Sequence, residues 1–309
     1  MLSSQSRTED LFAGRNRAMR LREVVAVLEG HPPPTLPEGT EAISEAGLTA
    51  ILGAPPGPLS GRRALLEHAA RRQAVLERLM AFGTVLPALT GVCLTPAEAA
   101  TALAANSPRL RQELRRLAGR VQFQVLVHWE TGLVPTRTDP EETAEELRLR
   151  FARRIAEALA RVAEEHVNLP LRDDMLANQA LLLPESRTDE LDRSLEQIDA
   201  LWTEGLRIRQ IGPSPPVSFA SLTFSRVSSS AIRRARRRFG LEGPVDPIRL
   251  RALRRHLLLS AAEAERAAIL DAAEVLDLLT RCASSGGDLH LIRIWSEGHA
   301  VPTSLEVAA

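Results

Sequence analysis

The chain has 309 residues, 44% of them hydrophobic and 25% charged, which is ordinary globular composition and excludes a chain disordered throughout. Its 39 basic and 39 acidic residues cancel, so no whole-molecule field draws nucleic acid or an anionic membrane to it. The length predicts two domains with an appendage.

Met1 to Arg22 is rich in Ser and Arg, has no signal-peptide block and reads as a disordered lead-in, assigned to residues 1–19. Arg22 to Glu29 is short, β-branched and apolar, and a breaker cluster from His31 to Pro37 follows it; it reads as a strand. Thr40 to Leu52 is split by Gly47 with alternation on both sides, the pattern of a hairpin. Gly61 to Phe82 has helical spacing, with Leu65, Leu66, Ala69, Val75, Leu76, Leu79 and Met80 on its apolar face. Thr84 to Pro87 then reads as extended chain and Val92 to Leu94 as a short strand. Thr95-Pro96-Ala97-Glu98 carries N-cap, N1 and N3 signals for a helix through Ala105, and Ser107-Pro108 predicts the start of a second helix, Arg109 to Ala118.

Val121 to Trp129 alternates and is the clearest strand. Pro135 to Pro140 reads as a loop and Glu141 to His166 as one long helix, acidic first and basic later. Met175 to Leu183 reads as a strand, Thr188 to Trp202 as a helix and Leu206 to Ile211 as a strand. This order predicts an α+β unit of ferredoxin-like type with one strand poorly visible. Beyond Phe224 the pattern turns helical: Ile232 to Phe239, Asp246 through Leu259, and Ala261 to Cys282, with Leu289 to Trp295 a terminal strand or docking segment. The expected fold class is therefore α+β, with two domains at 20–118 and 119–225, the second ferredoxin-like, and a helical tail at 226–309.

The chemistry-bearing constellations are missing. Lys is absent altogether, as is Tyr, which excludes a Walker lysine and a Schiff-base lysine. No Gly-x-Ser-x-Gly elbow is present, and no pair of the seven histidines has metal-ligand spacing. Cys93 and Cys282 cannot form a disulfide framework, and Cys93 reads as a small core residue. No apolar run reaches 18 residues, so no membrane span is expected. These readings predict a non-enzymatic protein with no cofactor and no metal, located in the cytoplasm. Two features remain. In Gly212-Pro213-Ser214-Pro215-Pro216-Val217-Ser218-Phe219, three prolines each fix φ and remove a donor, so the segment must form a stiff turn or a free edge. It is either a connector or a preorganised docking surface. The arginines from Arg233 to Arg238 are either a solvated helix face or a basic binding surface.

Several of these blocks, in order, resemble the gas vesicle GvpL/GvpF family. Gly47-Leu48-Thr49-Ala50-Ile51-Leu52 is similar to its early glycine-leucine strand. His68, Val75 to Met80 and Thr84-Val85-Leu86-Pro87 resemble its helix and the "TVLP" turn, and Leu114 with Leu117 to Val121 the entry to its next strand. Asn178 to Leu182 resembles its "N-x-A-x-L" strand, and Gly212 to Phe219 its "GPWPPYSF" motif. The blocks run from Val24 to Phe224. Ser214 stands at the motif's Trp, Val217 at its Tyr, Gln122 at an acidic position, and Leu89-Thr90-Gly91 at the usual Arg-Phe-Gly, so the chain looks like a divergent member. The resemblance implies a non-enzymatic accessory or minor structural protein of gas vesicle assembly. Its implied partners are the small hydrophobic shell protein and other gas vesicle accessory proteins, with no nucleic acid expected, and its place is the gas vesicle. Pro213, Pro215, Pro216 and Phe219 are the expected partner-binding residues, Phe219 as apolar anchor. The next candidate places are the face around Thr84 to Pro87 and the Arg-rich tail. The alternative is a nucleic-acid-binding protein acting through that tail.

Overall fold

Residues 22–29, six of them consecutively buried, make β1 (Arg22–Glu29), the central strand of the first sheet. The computed structural model describes residues 21–57, 61–130, 143–282 and 289–297. The expected lead-in and the Pro135 to Pro140 loop lie outside the described residues. Within them the chain divides into two compact units. One takes the residues up to Val75, with Ala88–Glu113 and Leu222–Ile294; the other takes Leu76–Pro87, Leu114–Ser221 and the residues from Trp295. The residues Leu222–Ile294 thus cluster with the first unit.

In the first unit, β1 pairs antiparallel with β3 (Leu48–Gly53), which pairs with β2 (Glu41–Glu45). Ala46 and Gly47, at φ 50° and 68°, form the two-residue connection, and a hairpin of this length favours left-handed central residues. The sheet order is β2-β3-β1-β4, with β4 at Leu86–Pro87, and β5 (Cys93–Leu94) also pairs with β1. Helix α1 (Arg62–Met80) sends Arg72 into the interior, where it is 8% exposed. Its guanidinium contacts Glu23 at 3.1 Å and donates to the carbonyls of Val24, Val25 and Ala88. Glu23, 2% exposed, also accepts from the Gly91 amide and lies 3.2 Å from His68. Leu65 and Leu66, expected on the apolar face, are 50% and 60% exposed.

The two helices expected around Pro108 are one, α2 (Pro96–Leu117). The proline removes the donor that Ala104 O would receive, and Ser107 Oγ donates to that carbonyl at 3.1 Å instead. Burial of Ala99, Ala102, Leu103, Leu110, Leu114 and Leu117 holds a continuous stripe that a break would dismantle. β10 (Ser221–Arg226) precedes the tail, which supplies α5 (Ser229–Phe239), α6 (Pro247–Ser260), α7 (Glu263–Arg281) and β11 (His290–Trp295), β10 and β11 pairing with each other. Phe239, Leu250, Ile269 and Leu276 anchor the helices to one another, and Ala105, Leu278, Cys282 and Leu291 form a second small core.

The second unit has the order strand, helix, strand, strand, helix, strand. Its elements are β6 (Arg120–Trp129), α3 (Ala144–Val162), β7 (Glu165–Asn168), β8 (Met175–Pro184), α4 (Thr188–Asp199) and β9 (Leu206–Ser214). The sheet order β7-β8-β6-β9, antiparallel at every pairing, is the ferredoxin-like arrangement. The poorly visible strand is β7, which the sequence reading had merged into the preceding helix. It is a four-residue edge strand with no buried residue, so it lacks the alternation that marks a half-buried strand. Helix α3 opens with a capping box between Thr143 and Glu146 and buries Leu147, Phe151, Ile155 and Leu159. Trp202 closes this core, stacked on Phe151 at 6.0 Å and edge-on to Trp129 at 5.9 Å.

Candidate functional site

Strand β9 is an edge strand, and its last residues enter the Pro-rich segment. Ile211 pairs with Gln124 and Ser214 with Gln122, so Gly212 and Pro213 together oppose Phe123 as a bulge. Gly212 has φ 136°, and a Cβ there would lie 2.8 Å from Gln122 O and 2.8 Å from Phe123 Cδ1. Only glycine fits that backbone and that approach. Gln122 is 6% exposed and fixes the segment from both of its ends. Its carbonyl accepts from Ser214 Oγ at 3.1 Å and its side-chain Oε1 accepts from the Ser218 amide at 2.9 Å. Past Ser214 the chain closes on itself. The Val217 amide donates to Pro215 O, the amides of Phe219 and Ala220 donate to Pro216 O, and Ser221 Oγ donates to Val217 O. Arg116 adds a donor to Phe219 O and pairs with Glu165 on β7.

The four expected partner-binding residues divide. Pro213 is exposed; Pro215 and Pro216 are buried in the turn but contribute to the wall of a groove of about 470 Å³. Phe219 is 3% exposed and plugs its own unit, so it is not free to serve as an apolar anchor. The facing wall of the groove comes from the end of α1 and the turn after it: Met80, Thr84 and Val85. Val121 also lines it, and Glu77, Arg120 and Glu185 bring charge to the lining. The Pro-rich segment and the Thr84 to Pro87 stretch, separate candidates in the sequence, thus share one surface within one unit. Sequence reading marked Gln122 only as a departure from a family pattern. It is the middle one of three consecutive buried residues of β6, and a polar side chain so placed requires an internal partner.

The rest of the described residues offer little chemistry. Among them no group of three or more His, Cys, Asp or Glu is placed to hold a metal. Burial, reinforced by the Glu23 carboxylate, pushes the Cys93 thiol up and disfavours the nucleophilic thiolate; burial also raises Cys282. Arg233, Arg234, Arg237 and Arg238 are exposed along α5, while Arg236 turns inward and donates to Gly243 O at 2.7 Å. No helix of the described residues is long and apolar enough to cross a membrane.

Comparison with known proteins follows the same lines. No curated protein matches the chain. The crystal structure of gas vesicle protein GvpF from Anabaena sp. PCC7120 superposes with a TM-score of 0.50 at 20% identity, covering 63% of this chain and 96% of that one. GvpF from Microcystis aeruginosa gives 0.49 at 19% identity, covering 63% and 97%. At such identity the Anabaena likeness speaks for the fold. The family model for gas vesicle synthesis protein GvpL/GvpF matches residues 29–148 and 136–221, well over half of the 309 residues, and the chain belongs to that family.

Proposed function

We propose that this chain binds the small hydrophobic shell protein of the gas vesicle in the groove between the Pro-rich turn and the Thr84-Val85 stretch, as an accessory or minor structural protein. The role in gas vesicle assembly rests on family membership. The shell contact is supported by one observation above the others: two stretches distant in sequence meet in one groove whose Pro wall is locked by Gln122. A rigid, partly apolar groove binds without having to order itself first, which keeps the entropic cost of association low. The prolines also keep the end of β9 from pairing with another copy of itself, a useful property in a protein that handles aggregation-prone monomers.

The test is co-purification of the shell protein with the wild-type chain and with two variants shown to keep their fold by circular dichroism and urea midpoint. Thr84→Arg places a charge in the groove, and Pro215→Ala/Pro216→Ala loosens its wall. Each is expected to lower capture about tenfold, the equivalent of about 1.4 kcal/mol. Capture equal to wild type in both variants would move the shell contact elsewhere.

A further inference from the structure

Charge in this neutral chain is segregated. Residues 229–260 hold nine arginines against two carboxylates, Glu242 and Asp246, a formal excess of seven positive charges that the remainder of the chain balances. Eight of these arginines, Arg233, Arg234, Arg237 and Arg238 on α5 and Arg249, Arg251, Arg254 and Arg255 on α6, are exposed. Among the described residues none of the eight has a carboxylate partner. Asp246 is itself occupied, capping α6 through the Ile248 amide. The neighbouring helix shows the contrast: on α7, Glu274 pairs with both Arg109 and Arg293, and Asp271 with Arg293.

This placement runs against local preference. Arg233 and Arg237, Arg234 and Arg238, and Arg251 and Arg255 are like charges one turn apart, which repel. Helix α6 has no acidic residue in its first turn and carries Arg249 and Arg251 near its N-terminus, the end where a cation is disfavoured. Local costs of this kind, with no carboxylate set against them among the described residues, mark surfaces shaped by something outside the molecule. On α6, Arg251 and Arg255 lie on or beside an exposed apolar stripe. Ile248 and Leu259 are 71% and 80% exposed, and Ile248, Ala252, Arg255 and Leu259 fall at i, i+4, i+7 and i+11, a single stripe opposite buried Leu250. The segment lies beyond the residues matched by the GvpL/GvpF family.

We propose that α6, with the basic α5 beside it in the chain, forms a docking surface for an acidic amphipathic helix of a partner protein, whose carboxylates meet exposed arginines led by Arg251 and Arg255 and whose apolar residues meet Ile248 and Leu259. Exposed aliphatic side chains gain nothing against a phosphate backbone. Phe239 is 4% exposed and cannot stack on a base, which leaves His256 as the single ring on the two helices able to do so. For a lipid surface the two aliphatic residues are too few and too far apart, with Arg255 between them on the stripe. A helix bearing apolar residues at the same spacing, flanked by Glu or Asp, satisfies both features of the face.

The experiment uses the full chain and three fluorescent or labelled probes: a model helical peptide of Leu and Glu at amphipathic spacing, a duplex DNA of mixed sequence, and vesicles containing phosphatidylglycerol. Arg251→Glu/Arg255→Glu, Arg233→Glu/Arg237→Glu and Ile248→Ser/Leu259→Ser change exposed positions only, and each variant's fold is checked by circular dichroism. The peptide is expected to bind with an affinity that falls as salt rises, to lose about tenfold or more in each charge reversal, and to lose several-fold in the serine variant. Absence of peptide binding, binding unchanged by the charge reversals, or tighter binding of DNA or vesicles than of the peptide overturns the proposal. None of these variants touches the groove, so shell-protein capture reports on that site separately.

Discussion

Arg72 shows how much of the first unit rests on one side chain. It donates to three backbone carbonyls and contacts the buried carboxylate of Glu23, tying α1 to β1 and to Ala88 beyond β4. A buried carboxylate is tolerated only while its charge is matched, and breaking such a pair from one side costs more than removing both members. Arg72→Met is therefore expected to lower stability by about 3–5 kcal/mol, read as a fall in urea midpoint at neutral pH. Adding Glu23→Gln to that variant should recover part of the loss, because the uncompensated charge is gone. A single variant as stable as wild type would show that Glu23 finds compensation elsewhere. Gln122 plays a comparable part in the second unit on a smaller scale, with a neutral amide in place of a charge.

At the scale of elements, the join between α2 and β11 is made by Asn106, which is 2% exposed. Its Nδ2 donates to His290 O at 3.0 Å and to Ala102 O at 2.8 Å, and its Oδ1 accepts from the Ile292 amide at 3.1 Å. The residue acts as a piece of strand for β11, supplying both a donor and an acceptor to its backbone. Asn106→Leu keeps the volume and strands the Ile292 amide and the His290 carbonyl away from water. A loss of about 2–4 kcal/mol is expected, at about 1–3 kcal/mol for each buried group left without a partner. Amide hydrogen exchange should localise the damage: protection at Ile292 is expected to drop more than protection in β6 or β8 of the other unit. Equal loss in both units would mean that the bond stabilises the chain globally and not this join.

At the scale of the whole molecule, the residues from Leu222 to Ile294 belong to the first unit's compact body. Val227, Leu278, Cys282, Leu289 and Leu291 surround Ala105, and Glu274 reaches Arg109. Ser228-Ser229-Ser230 has no apolar period, which by itself suggests a tail separable by proteolysis near Arg226 to Ser230. In the structure Ser228 caps α5 through the Ala231 amide. Truncation at Arg226 is therefore expected to yield a chain whose first unit loses protection and aggregates, while β6, β8, α3 and α4 keep their fold. Solubility, circular dichroism and limited proteolysis of the truncated chain check this. A soluble truncated protein with an unchanged urea midpoint would restore the separable tail.

What the sequence by itself determined is the set of elements that have strong local signals. The buried run of β1, the Gly47 hairpin, the capped helices, the alternating strands β6 and β9 and the apolar run of β8 were legible because period, cap and turn residues are local properties. The ordered motif blocks also carried the family. What lacked a local signal was decided by tertiary structure. Strand β7 has no buried face and exists because β8 offers it an edge. Helix α2 passes Pro108 because a continuous buried stripe outweighs one missing hydrogen bond, which Ser107 replaces. The candidate site had the same division. The prolines marked the segment, but only folding set it beside Thr84 and Val85 and turned Phe219 inward. Which of several apolar side chains is left free to meet a partner depends on the whole set of contacts around it, and no spacing along the chain encodes that choice.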